Sequence, residues 1–191
     1  MKLRFVLPLL LLAFAPLGLA ANLITNGGFE TGDLTGWTFT PAAGGSSLTL
    51  GNFSEGSGNF NAKFGATGTT DDVLSQTIAT IPGQFYQLSL FFFVSQGMPA
   101  NNHYSIVFAG VTLLFATDAN AGGGSPSFIP IMATSNFSTF SFSARNRPGT
   151  FLDDVSVTLV TAPAPESGST LALLGCALAA IVCARQKMRL A

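Results

Sequence analysis

Between residues 72 and 160, apolar and polar side chains alternate with a period of two in short runs closed by turn residues, the pattern of half-buried strands. In the first clear run, 72–79, Val73, Ser75 and Thr77 alternate against Leu74, Gln76 and Ile78. Pro82-Gly83 follows in the order a type II turn prefers. The next run, 85–94, places Tyr86, Leu88, Leu90, Phe92 and Val94 on one face. Its other face changes from Gln87 and Ser89 to Phe91 and Phe93, which predicts burial on both sides at its end and makes this strand the centre of the core. Tyr104, Ile106 and Phe108 alternate next, and Ala109-Gly110 turns the chain into 111–115 as a hairpin. Residues 118–127 are Gly-rich and predict an exposed loop. In 135–144 Phe137 opposes the face shared by Phe140 and Phe142. The run 151–160 places Phe151, Asp153, Val155, Val157 and Leu159 on one side. About eight short strands without helical periodicity predict an all-β fold, a β-sandwich or jelly roll.

Two continuous apolar runs bracket this pattern. At the N-terminus Lys2 and Arg4 precede residues 5–19, and Gly18-Leu19-Ala20 offers small residues for signal peptidase. Residues 1–20 therefore predict a signal peptide forming a short helix, cleaved after Ala20 or alternatively after Ala21. At the other end, residues 161–168 form a Pro-rich linker. The apolar residues 169–184 and the basic residues 185–191, with Arg185, Lys187 and Arg189, follow. The apolar run is shorter than the roughly 20 residues that span a bilayer comfortably, so it predicts a short transmembrane helix. Its basic flank places the tail in the cytoplasm and everything upstream outside.

Removing both segments leaves residues 21–160 as one domain. It carries three basic residues, Lys63, Arg145 and Arg147, against eight carboxylates, a formal charge near −5. That excludes nucleic acid and anionic lipid as electrostatic partners and leaves neutral glycans, cations and proteins. Both cysteines, Cys176 and Cys183, fall in the apolar tail, so the domain must be stable without disulfides in a compartment that would permit them.

The tail resembles the PEP-CTERM class of bacterial sorting signals. Pro165-Glu166-Ser167-Gly168 and the apolar residues after it are most similar to the VPDSG-type variant, departing from it with Ala164 in place of Val and Glu166 in place of Asp. The resemblance implies reading and removal by a membrane-embedded exosortase; the competing reading is an ordinary C-terminal anchor helix.

The domain resembles the galactose-binding-like jelly rolls, which include many carbohydrate-binding modules. The likeness rests on Asn26-Gly27-Gly28-Phe29-Glu30 with Gly36-Trp37 at the start and on Phe151-Leu152-Asp153-Asp154-Val155 at the end. It implies a structural Ca²⁺ where the first and last strands meet, with Glu30 and Asp153 as carboxylate ligands and Asp154 as a third that should face outward. On the residues alone, Asp153 on an apolar face needs an answering partner. Either a hard cation or backbone amides would serve.

Catalytic constellations are not legible. The only imidazole, His103, reads as a solvated loop residue beside Asn101 and Asn102. The adjacent pairs Asp71-Asp72 and Asp153-Asp154 should point to opposite strand faces, poor geometry for paired acid and base work. Two non-enzymatic readings remain: an exported, transiently membrane-anchored protein of the cell surface or extracellular matrix, or a module that binds extracellular polysaccharide. Trp37 and Tyr104 are the candidate ligand platforms, although the Gly36-Trp37 position is one that resembling folds usually bury.

Overall fold

The computed structural model describes residues 20–95, 102–118, 122–145, 149–161 and 175–176. The signal segment, the linker with its sorting motif, the basic tail and nearly all of the apolar run 169–184 lie outside the described residues. Among the described residues no helix is long and apolar enough to cross a membrane.

Among the described residues eleven strands form two antiparallel sheets. They are β1 (Thr38–Thr40), β2 (Thr49–Gly51), β3 (Asn61–Phe64), β4 (Asp72–Ala79), β5 (Phe85–Val94), β6 (His103–Phe108), β7 (Val111–Thr117), β8 (Gly122–Gly124), β9 (Ile131–Met132), β10 (Phe137–Arg145) and β11 (Thr150–Leu159). One sheet has the order β1-β4-β10-β6-β7; the other has β2-β3-β11-β5-β8, with β9 also on β5. The inner faces meet in a single core to which Leu74, Ile106, Phe140 and Phe142 contribute from the first sheet and Phe64, Leu88, Val94 and Leu152 from the second. Phe64 and Phe142 cross the gap with ring centroids 5.1 Å apart.

The alternation predicted for β4, β5 and β10 is the alternation observed: Leu74, Gln76 and Ile78 are buried, as are Tyr86 through Val94 at every second position, while Phe137 faces out. Phe91 and Phe93 are half-buried. The β6–β7 hairpin turns at Ala109 and Gly110, which both have positive φ, 51° and 79°, as a two-residue hairpin turn demands. The Gly-rich stretch is not simply a loop: β8 lies against Phe92–Val94, and Ser127 bridges Ser89. Glycine permits this, because a Cβ on Gly123 would stand 2.1 Å from the Phe92 carbonyl oxygen.

The last strand departs from its predicted pattern. The β5–β11 register shifts between Asp153 and Ser156, a β-bulge, and Asp154 has φ 51°. Before the bulge Phe151 and Asp153 pair with Phe93 and Phe91 on the outer face; after it Val157 pairs with the core residue Leu88. The five residues expected on one side are therefore split by one extra residue, which inverts the facing of everything beyond it. Phe151 packs outside the core against Phe53 and Phe93, with ring centroids 5.7 and 6.3 Å away.

Candidate functional site

The bulge gathers Glu30, Asp153 and Asp154. Asp153 is 0% exposed although it faces outward, because the loop before β3 folds over it. A Cβ on Gly56 would come within 2.2 Å of Asp153 Oδ2, and one on Gly58 within 2.3 Å of Glu30 Oε1. The same loop supplies donors. Ser57 N donates to Asp153 Oδ2 at 2.8 Å, and Asn59 N and Phe60 N donate to Glu30 Oε1 at 2.9 and 3.0 Å. Ser57 Oγ donates to Asp154 Oδ1 at 2.8 Å. Oδ1 of Asp153 and Oδ1 of Asp154 both lie 3.7 Å from the Cβ position of Gly28. Adjacent aspartates expected on opposite faces thus share one place, because Asp154 sits in the left-handed region.

No described ion pair relieves this charge; both described pairs belong to Asp71. Desolvation pushes the Asp153 carboxyl up to about 6, with the negative charges of Asp154 and Glu30 adding to it against the amide hydrogen bonds. The exposed Glu30 is held low by the Phe60 and Asn59 amides. Asn61, 2% exposed, donates to the Glu55 carbonyl, while its Oδ1 is a buried acceptor without a partner. Asn61 stands one residue along β3 from Ala62, the partner of Leu152. Hard oxygen donors, excess negative charge and an orphaned amide oxygen fit a Ca²⁺-type ion. Among the described residues, however, no three acidic, His or Cys side chains converge on one metal position. An ion there would need amide and backbone oxygens beside the carboxylates.

A second cluster forms where β4 begins. Asp71 Oδ1 accepts from Arg145 Nη1 at 2.7 Å, and Asp71 Oδ2 lies 2.6 Å from His103 Nδ1. Ser143 Oγ donates to the same Oδ2 at 3.3 Å. His103 is thus a strand residue hydrogen-bonded to Asp71 rather than a solvated loop residue, since antiparallel pairing sets it directly opposite Arg145. The Ser143 hydroxyl donates its hydrogen bond to the same aspartate, so the cluster reads as a clip across β4, β10 and β6.

Of the two aromatic candidates, Trp37 is a core residue at 8% exposure. Stacked on Phe29 at 5.4 Å, it meets Phe140 edge-on and donates from Nε1 to the Asn26 carbonyl, leaving no face for a sugar. Tyr104 packs on Phe92 and lines an open cleft of about 420 Å³ with β8 and Pro126; partial burial raises its phenol pKa. Asn102 is buried. Asn101 lies outside the described residues, as do Pro165, Glu166, Ser167, Gly168, Arg185, Lys187 and Arg189.

This geometry defines the class by its fold: a two-sheet antiparallel β-sandwich, similar to that of solved carbohydrate-binding modules. A family 61 carbohydrate-binding module solved with β-1,4-galactotriose is similar with a TM-score of 0.55 and 18% identity, over 74% of this chain and 100% of that one. The xylan-binding domain of family 22 gives 0.53 and 12%, over 75% and 99%. The enzymatically active domain of tailspike protein 4 from bacteriophage CBA120 gives 0.53 and 17%, over 73% of this chain and 21% of that one. At these identities the likeness concerns the fold. In sequence, the VPDSG-CTERM motif matches residues 165–188. No curated protein matches the chain.

Because the folded Asp153 carboxyl titrates above its ordinary value of 3.8, its contribution to stability is fully present below about pH 4 and is lost as pH rises through about 6. Glu30 and Asp33, both held low, act in the opposite sense and at lower pH. In chelator, the melting temperature should therefore fall by several degrees between pH 5 and 7, at about 4 °C per kcal/mol for a domain of this size. Asp153→Asn should flatten that slope. An unchanged slope in the variant would assign the titration elsewhere.

Proposed function

We propose that this chain is an exported, non-catalytic protein of the cell surface or extracellular matrix, delivered through its C-terminal signal and released from its short apolar anchor by an exosortase-type enzyme after signal peptidase has removed residues 1–20. The observation that carries this reading is the VPDSG-CTERM motif beginning at Pro165, six residues beyond the end of β11 at Leu159. A sorting motif directly behind a closed sandwich makes the sandwich the delivered cargo. The intact mass of the exported product should end upstream of Leu171, and deleting residues 185–191 should leave unprocessed precursor in the envelope. A mature protein that retains residues 171–184 overturns the reading.

Within the cargo, Ca²⁺ held by Glu30, Asp153 and Asp154 with the amide oxygen of Asn61 would lock the loop over β11. Support comes from the raised Asp153 carboxyl and the unpartnered Asn61 Oδ1. Calcium at a hundred times its dissociation constant should stabilise the domain by about 2.7 kcal/mol at pH 7, and Asp153→Asn should remove the gain. Identical melting in calcium and in chelator discards the ion.

A second reading, polysaccharide binding, is favoured by the Tyr104 cleft, where an aromatic ring stands beside polar backbone, the mix small-ligand sites use. On a glycan array the exported protein should retain a neutral polysaccharide, and Tyr104→Ala should lose it at least tenfold. Equal retention by Tyr104→Ala places any binding elsewhere.

A further inference from the structure

The sandwich has one end without charge, and the chain leaves the domain there. Residues 20–25, 78–87, 106–114, 127–141 and 155–161 contain no Asp, Glu, Lys, Arg or His. They build the end made by the β4–β5 turn, the start of β10 and the finish of β11. Seven of the eight exposed large apolar side chains among the described residues belong to these segments: Ile81, Phe85, Val111, Ile129, Met132, Phe137 and Val160, with Ile129 81% and Phe137 65% exposed. Five of them are linked through the backbone. Phe85 pairs with Met132, Val160 N donates to the Phe85 carbonyl at 2.8 Å, and Phe137 pairs with Ala79 two residues from Ile81. Between them opens an apolar cleft of about 300 Å³ lined by Leu23, Ile81, Tyr86 and Leu159. An uncharged, contiguous apolar patch of this kind marks a surface that meets a protein or a membrane.

Where the chain goes next decides between these partners. Val160 is within the patch, and residues 162–168, seven in number, separate the last described residue of the domain from the apolar run 169–184. Even fully extended they reach only about 25 Å, so a chain held by that run keeps this end within reach of the bilayer surface. The acidic groups complete the polarity. Asp71, Asp72 and Asp118 stand where β4 begins and β7 ends, about 25 Å away along the eight residues of β4, clear of anionic headgroups.

We infer that the uncharged end of the sandwich is a membrane-contacting face, which rests Phe85, Ile129 and Phe137 on the lipid headgroup and acyl boundary while the chain is held by its C-terminal run. The inference rests on the sorting reading proposed above. Its test is the full-length precursor in phosphatidylcholine vesicles carrying dibrominated acyl chains, with tryptophan placed by Phe85→Trp, Phe137→Trp or, near the opposite end, Phe115→Trp; the buried Trp37 is common to all. Flotation first reports whether the tail holds the chain to the vesicle. Brominated lipid should then quench the Phe85→Trp and Phe137→Trp probes at least twofold more than the Phe115→Trp probe, and Phe137→Glu should reduce the Phe85→Trp signal to that baseline. Near-ultraviolet circular dichroism confirms that each variant keeps its packing. A chain that floats with equal quenching at both ends overturns this inference alone. A chain that does not float overturns the anchor reading and this one together. Protection of Phe85→Trp without bromine quenching, accompanied by crosslinked dimers, assigns the patch to a second copy and overturns the membrane face.

Discussion

The single extra residue at Asp153–Asp154 governs how the two halves of β11 find their neighbours. Ahead of it, Thr150–Leu152 pair with β3. Beyond it, the N-terminal segment takes over that side: Val155 N donates to the Gly27 carbonyl, Asn22 bonds both Val155 and Val157, and Leu23 N donates to the Val157 carbonyl. The handover needs close backbone approach, and a Cβ on Gly27 would stand 2.0 Å from the Val155 oxygen. One bulge therefore seats the first residues of the domain, turns Val155 and Val157 into the core, and leaves Asp153 outside it beneath the loop that precedes β3.

The same bulge marks the limit of what the amino-acid pattern could disclose. β4, β5, β6 and β10 were legible because each buries one face, and burial of one face writes a period of two into the chain; β7, which buries no residue fully, was legible from the Ala109-Gly110 turn before it. β1, β2, β3, β8 and β9 span only two to four residues, too few for any period to register. Phe151 and Asp153 could be placed on the wrong side because a bulge inverts facing without changing composition. The pairing of His103 with Asp71 joins residues 32 apart in sequence through the register of three strands, and nothing local announces it. Asp153 stood out as a carboxylate in an apolar run, whereas Glu30 and Asp154 joined it only through the likeness of the two terminal motifs to jelly rolls; Asn61 carried no signal at all.

Two fully buried aspartates show what burial of a charge requires. Asp72 accepts from Ala42 N, Ser46 Oγ and Ser47 N, so its desolvation is offset by three donors from a single loop that it pins to β4. Asp153 accepts two backbone amides and faces two further carboxylates. Amide donors lower a carboxyl pKa, whereas burial and like charge raise it, and the raised value shows which effect wins. A domain without cysteines has few ways to hold a long loop to a strand. Gathering three acids at that loop is costly for the fold, and the cation proposed above would offset that cost.

The direction of the sandwich then connects fold to delivery. β11 ends beside the N-terminal segment, so both chain exits, at Leu23 and at Val160, occupy the uncharged end. Tyr104 and its cleft open near the start of β6, beside the acidic end. An anchor at the C-terminal exit therefore points the cleft and the carboxylates away from the bilayer, toward whatever polymer or cation the exterior supplies. On the proposed processing, removal of the tail would free the apolar end without altering the rest, because the hydrogen bonds that close the core, including Val160 N to Phe85 O and Leu23 N to Val157 O, lie upstream of the sorting motif.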